Sequence, residues 1–573
     1  MAEDGGQSLS RRAAHAAATA LATGLRWSGR RVQARAVYAV GGPARARVIF
    51  LFGGVLALAS ADASTIGAVA PQLESSLHIG NTEVGLLSSV TLLIGAVAVI
   101  PVGLLVDKIN RVHMLSISIV LWSAAMLASG AAGSYSSLLI TRLGLGAVSA
   151  TAGPAIASLT GDYFYARERG RVYGYILGGE IAGTAVGFIV SGLVASVLSW
   201  RFAFWVIAIP GFFLARELWR TLPEPRRGGK SRLEHGTVDL FAAARGQSGP
   251  DRPGEDPDQP IREDDLALDA VRSHGIEADL ALVLTEDPAQ MPLKRAVRYV
   301  LSIQSNVTMI IASALGYFFF AGLQTFAVLF VRGHYHTDQA TATGVLGLLV
   351  LGALAGVLIS GRLTDHLLRR GVLNARVWVP AVSYIAAAVL LVPGLLETKL
   401  TPAIWFDVAG AALLSAANPP LDAARLDIMP AGLWGRAESI RTLLRTLGQA
   451  LAPLLFGAVA DLVAGFTPHQ SPIGTKPRGT IQQGTARGLE YSFLLMLIAL
   501  GAAGVILLRA RYTYPRDVAT AAASSTASTS ADAEAAPPVA SGGPPEASRT
   551  PPGASAESPE APAGPPEAPG TAG

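Results

Sequence analysis

Cysteine is absent from the chain, which excludes disulfides, thiolate zinc sites, iron–sulfur clusters and cysteine nucleophiles together. Charge is scarce: 15% of the 573 residues are charged, against about 25% in an average soluble domain. With 51% hydrophobic residues and a mean hydropathy of +0.42, there is too little polar material to cover a water-facing surface. Lysine is nearly missing, five against forty arginines, a bias that with the heavy Ala and Gly points to a GC-rich bacterial genome. The net charge of +4 follows the placement of loops rather than affinity for nucleic acid, and no nucleic-acid partner is expected. No H-E-x-x-H occurs, and the nine His are scattered. The nearest approach to a phosphate loop, Gly229-Lys230-Ser231, has Glu224 where its first glycine belongs. ATP-driven transport, a metal centre and a bound cofactor are therefore not expected.

What the chain does have is long apolar runs. Residues 1–46 are polar, Ala-rich and studded with Arg11, Arg12, Arg30, Arg31, Arg35 and Arg45, without a signal-peptide pattern. They read as a basic cytoplasmic tail. From Val48 onward, runs long enough to cross about 30 Å of hydrocarbon recur at 48–70, 83–105, 113–132, 136–158, 172–195 and 200–221. A second set follows at 305–330, 342–364, 376–395, 403–424, 438–462 and 488–509. This predicts an all-α membrane protein of twelve transmembrane helices in two six-helix bundles, 47–222 and 301–511. The charged, Pro/Gly-rich stretch 223–300 reads as a partly disordered cytoplasmic linker, with local helix near Leu280–Leu284. The Ala/Pro-rich stretch 512–573 reads as an unfolded tail. Lys108, Arg111, Arg167, Arg169, Arg171, Arg369, Arg370, Arg425 and Arg436 fall on one side with both ends. The loops 71–83 and 133–137 on the other side carry no Lys or Arg. That asymmetry predicts cytoplasmic termini, with Lys476, Arg478 and Arg487 as exceptions.

The two halves repeat. Gly103, Leu105, Asp107, Lys108 and Arg111 after the second span mirror Gly361, Leu363, Asp365 and Arg369 after the eighth, 258 positions on. Asp162 with Gly170 and Arg171 likewise mirrors Asp427 with Gly435 and Arg436. Parallel repeats of this kind mark two-lobed transporters. At these residues the chain resembles the major facilitator superfamily, over roughly 47–222 and 301–511. It departs from the loop motif at Asn110, where the motif has Gly, and at Val112, where it has a basic residue. Arg142-Leu-Gly-Leu-Gly146, Ser158 to Phe164, Arg169-Gly-Arg171 and Trp200 to Phe204 are most similar to the spinster group, which is associated with lipid-like amphiphiles.

The resemblance implies rocker-switch transport by a monomer in the plasma membrane, with a small amphiphilic or lipid-like substrate, a coupled proton and surrounding membrane lipids as partners. It also implies a cytoplasmic latch. Asp107 would face the start of the eleventh span near Gly435–Ala437, and Asp365 the start of the fifth near Gly170–Val172, because helix N-termini attract negative charge. A topogenic basic loop with a solvated Asp is the alternative. A drug or metabolite exporter of the same fold is a second functional reading. An integral-membrane lipid enzyme is a third, but no acid/base or nucleophile–base set supports it.

Ionisable groups inside spans cost at least about 2.5–3.5 kcal/mol at mid-membrane, so each needs a partner or a wet cavity. Asp62 and Arg142 come out at similar depth on antiparallel helices, and their pairing reads either as a protonation switch or as a static bond. The spinster resemblance also assigns proton coupling to these two positions. It departs where that group has Arg and Glu, which here are Ala63 and Ser149. Glu180, in the fifth span, is the third candidate for proton coupling. It sits beside Gly179, Gly183 and Gly187, which read as a helix-packing face. Ser149, Tyr317, Gln324, Arg445 and Gln449 are candidates for the substrate cavity. Asp422 with Arg441 or Arg445 reads as an inner gate or an anionic-headgroup site, against a bland reading of snorkelling arginine. The Tyr317-Phe-Phe-Phe320 run has packed core as its alternative.

Overall fold

A computed structural model describes residues 37, 40–106, 108–164, 169–225, 233–234, 236–241, 266–286, 291–430, 433–466 and 478–535. Twelve helices among them are long and apolar enough to cross a membrane. In the first lobe these are α1 (Pro43–Leu77), α2 (Asn81–Val106), α3 (Arg111–Gly130), α4 (Tyr135–Tyr163), α5 (Arg169–Val197) and α6 (Trp200–Thr221). The second lobe has α7 (Gln304–Tyr335), α8 (Gln339–Arg369), α9 (Ala375–Leu396), α10 (Leu400–Asp427), α11 (Trp434–Phe466) and α12 (Arg478–Leu508). In hydrocarbon every backbone N–H and C=O must be satisfied within the segment, so apolar runs of this length fold as helices. Their outer faces carry exposed apolar side chains such as Phe50, Val97, Ile359 and Trp405, which suit lipid rather than water. The ends at which α1 starts and α12 finishes are called the tail side below, and the opposite ends the far side.

Two spans are broken, and at equivalent places. α4 divides into Tyr135–Ser149 and Ala152–Tyr163, and α10 into Leu400–Ala416 and Asn418–Asp427. Pro154 and Pro419 lie 265 positions apart, each just past its break. Proline has no N–H to donate and its ring clashes with the carbonyl four residues back, so both helices kink there. Asn110, the departure from the loop motif, has a local job: its side chain accepts the His113 N–H at 2.8 Å and caps α3.

Within the first lobe α1 lies directly on α5. A Cβ at Gly179, Gly183 or Gly187 would fall within 2.1–2.5 Å of the backbone oxygens of Gly53, Ala57 and Ala61. The small-residue stripe is therefore a close backbone contact. α8 and α10 make the matching contact through Gly356 and Ala412. The lobes meet along α1–α7, α2–α11 and α5–α8.

The tail-side layer differs from expectation. The stretch expected to be unfolded from 512 starts with a helix, Tyr514–Ala535, whose Tyr514, Val518, Thr520 and Ser524 are buried. Alanine is the best helix former, and the small side chains allow close approach. The hydroxyls then serve the linker: Thr520 accepts the Asp279 N–H at 2.9 Å and Ser524 the Leu284 N–H at 3.0 Å. The linker segment 280–284, expected as helix, is a turn at 280–282 followed by irregular chain. Among the described residues the linker holds the helices Leu266–Ser273 and Leu293–Ser302.

Candidate functional site

Asp62 on α1 and Arg142 on α4 are brought together. An Arg142 guanidinium N–H donates to the Asp62 carboxylate at 2.7 Å, and both side chains are at most 5% exposed. The guanidinium also lies 4.9 Å from the Phe204 ring centroid and donates to Met126 Sδ at 3.9 Å. Its Nε has no hydrogen-bond partner, so the pair rests on one bond rather than a two-pronged clasp. Buried and partly satisfied, it is the kind of bond whose making and breaking carries large consequences.

Immediately above this pair, α1 carries the seal between the lobes. Gln324 Nε2 on α7 donates to Ser64 Oγ at 3.0 Å, and Gln339 Nε2 on α8 donates to the Ala68 carbonyl at 2.6 Å. Between them a Cβ at Gly67 would meet the Gln324 carbonyl oxygen at 2.0 Å, so only glycine fits this crossing. The far-side ends of α2 and α11 close further round. Asp461 on α11 accepts the Asn81 and Thr82 backbone N–H groups at 3.2 and 2.8 Å, Asn81 Nδ2 at 2.8 Å and Thr82 Oγ1 at 2.5 Å. One lobe thus supplies the negative cap for the other lobe's helix start. Leu454 N–H donating to Ser89 Oγ, and the close approach of Gly192 to Thr343, extend the seal.

On the tail side, the ion pairs among the described residues join groups of the same lobe. Arg111 is buried and binds Asp162, Glu224 at 2.7 Å and Ser158 at 2.8 Å. Its structural counterpart is Arg376, 265 positions on, which binds Asp427, as Tyr514 also does. The repeat had aligned Arg111 with Arg369 instead. α8 runs on for eight residues past Gly361 whereas α2 ends three past Gly103, so Arg369 finishes its helix, exposed, and Arg376 begins the next.

Asp365 is exposed and makes no hydrogen bond or ion pair among the described residues. Lys108 is exposed, and Asp107 and the Arg171 side chain lie outside the described residues. Arg436 donates to the Met291 carbonyl at 2.7 Å, tying the linker to α11. Asp422 binds Arg441 at 3.2 Å and Arg425 at 3.5 Å, and Glu438 binds Arg425 at 2.6 Å and Arg441 at 2.9 Å.

Between the lobes, Glu180 on α5 is exposed yet close enough to interact electrostatically with Arg445 and Asp422 across the gap. Arg445 stacks over Tyr317 at 4.3 Å, and its Nε has no partner. Gln449 lies one turn further along α11. Ser149 points back into its own helix, with its hydroxyl on the Gly146 carbonyl at 3.0 Å, at the break in α4. The aromatic run divides: Phe318 and Phe319 pack against Phe456 as core, while Tyr317 and Phe320 turn toward the gap.

Asp461 was missed by sequence reasoning. Its signal is the one that marks Asp107 and Asp365, an acid opposite a helix start, here on the far side near the end of the eleventh span.

A family model described as the Major Facilitator Superfamily matches residues 52–453. The chain is 22% identical over 425 residues to the uncharacterized transporter YybO of Bacillus subtilis (strain 168), covering 73% of this chain and 88% of that one. It is 29% identical over 154 residues to a probable L-galactonate transporter of Escherichia coli (strain K12), and 30% over 158 residues to the quinolone resistance protein NorB of Staphylococcus aureus (strain JH9). These matches cover 27% and 28% of this chain, and each spans 34% of the relative's length. Among solved structures, a bacterial homolog of the human lysosomal transporter Spinster, in an inward-facing and occupied conformation, superposes with a TM-score of 0.63 at 20% identity. That superposition covers 83% of this chain and 98% of the other.

Proposed function

The chain belongs to the major facilitator superfamily, and from that premise we propose that it is a proton-coupled secondary transporter moving a small amphiphilic or lipid-like molecule across the plasma membrane by alternating access. The tail side faces the cytoplasm in this reading, and the arrangement described is open to it. One observation carries the proposal: Asp62 of the buried Asp62–Arg142 pair sits on the same helix as the interlobe contacts at Ser64, Gly67 and Ala68, two to six residues away. Protonating Asp62 cancels its charge and leaves Arg142 without its counter-charge, a perturbation of about 3–5 kcal/mol at a buried pair. α1 transmits it to the seal. Glu180, facing Arg445 across the gap, is the second acid whose charge matters when the lobes close.

The latch belongs to the opposite state. With the tail side closed, Asp365, exposed here, meets the start of α5, and Asp107 the start of α11. The pair α2 and α11 then carries an acid at each end, Asp107 for one state and Asp461 for the other.

The test is uptake into proteoliposomes holding the full chain, with single-chain lipids, sugar acids and cationic dyes as the panel. Uptake of the single-chain lipids, stimulated by an imposed proton gradient, is expected. Uptake restricted to dyes or sugar acids would replace this reading with a second one, a drug or metabolite exporter. That second reading is favoured by the likeness to the L-galactonate and quinolone-resistance proteins.

A further inference from the structure

The gap between the lobes has two chemically different parts in direct sequence. Four of the charged groups near its tail-side end neutralise one another: Arg425 and Arg441 against Asp422 and Glu438, all within 3.5 Å. Arg445 is left over. Among the described residues it has no ion pair, and its Nε is without any hydrogen-bond partner. The carboxylate it faces, Glu180, stands on the other lobe and forms no ion pair with it. Under the guanidinium lies the Tyr317 ring, and 6.3 Å from that ring, edge-on, lies Phe320.

Phe320 begins a different environment. With Phe188, Leu349, Ala353, Ala411 and Leu414 it lines an apolar recess between α5, α7, α8 and α10. The recess follows α7 from Phe320 to Ala327, about 10 Å of helix on the far-side side of Tyr317. Glu180 and Thr184 bracket the same transition on α5: the acid is level with Arg445, and Thr184, one turn on, lines the recess. A cation with unspent hydrogen-bonding capacity thus borders a slot of mainly apolar lining, joined to it by two rings.

We propose that this is one binding site for an anionic amphiphile, a carboxylate or phosphate monoester with a single apolar chain. Arg445 holds the head toward the tail side, and the chain points to the far side in the recess. The inference rests on the amphiphile reading of the transporter and specifies the sign of the head and its direction. Guanidinium suits both anions because its planar fork offers paired donors. When the tail side closes, Glu180 approaches the same cation, so an ionised Glu180 and the substrate head compete for it.

The test is equilibrium binding of labelled octyl phosphate to the purified full chain in maltoside micelles. Octanol, inorganic phosphate and octyltrimethylammonium serve as competitors. Saturable binding is expected, displaced weakly by phosphate or octanol alone and not by the cationic amphiphile. Arg445→Gln should weaken it at least tenfold, the scale of a lost charged hydrogen bond, and Arg445→Lys should restore part of the loss. Ala353→Phe, which fills the recess, should weaken octyl phosphate while leaving inorganic phosphate unchanged. An unaltered melting temperature in each variant separates these effects from misfolding. Equal binding of octyltrimethylammonium, or unchanged affinity in Arg445→Gln, overturns the proposal while sparing the amphiphile reading. Failure of amphiphiles of every charge to bind overturns both.

Discussion

Replacing Asp461 by Asn removes the charge that holds the far side shut while leaving the side chain's shape. The carboxylate accepts four hydrogen bonds from Asn81 and Thr82, two of them from backbone N–H groups at the start of α2. An amide keeps one acceptor and turns its NH2 toward donors. Counting about 1 kcal/mol for each of two bonds that lose a charged acceptor, and about 1 kcal/mol for the helix N-terminus, gives about 3 kcal/mol. That is roughly a hundredfold in the balance between far-side-closed and far-side-open states. Because the chain has no cysteine, labels can be placed without background at Ser136→Cys and Thr398→Cys, exposed far-side positions on opposite lobes. Pulsed EPR distances between them should be short and narrow in the parent and shift to a longer population in Asp461→Asn. A distribution identical to the parent's would refute the reasoning that this cap supports the seal.

Two further outcomes concern packing and the tail. Gly183→Leu should lower the melting temperature severely, by about 3 kcal/mol of stability: its Cβ would meet Ala57 backbone atoms at 2.1–2.6 Å. Gly178→Leu, with nothing within 4 Å, is the matched control and should be tolerated. Asp517, which accepts the Ser305 N–H at 3.2 Å, has its carboxyl pushed up by burial. A raised acid favours docking while protonated, so the helix Tyr514–Ala535 should be held best below the ordinary aspartate range and loosen as pH rises through the raised value. Hydrogen exchange at 514–524 reads this, and Asp517→Asn should flatten the pH dependence.

The architecture was legible because lipid imposes one solution. Apolar runs of that length have to be helices, and a break in the run count halves the molecule. Asp62 with Arg142 was legible for a related reason: two opposite charges at matching depth, in the first and fourth hydrophobic runs, have few alternatives to each other. The tail helix was not, since Ala, Ser and Thr carry no hydrophobic pattern. Its packing rests on hydroxyls meeting linker N–H groups that lie about 240 residues away in the chain. Arg376 escaped notice because the repeat was aligned on the loop motif, and the two helices carrying that motif end at different distances beyond it. The division of the Tyr317–Phe320 run between core and gap depends on how α7 is rotated against α11, which composition cannot specify.

In the proposed cycle, protonation at a buried carboxylate moves the lobes. Its most direct test is accumulation of labelled octyl phosphate in proteoliposomes under an imposed pH gradient, the parent chain against Asp62→Asn. The parent should concentrate the label above equilibrium, and the variant should equilibrate it without accumulation. Accumulation by Asp62→Asn as steep as the parent's would contradict the claim.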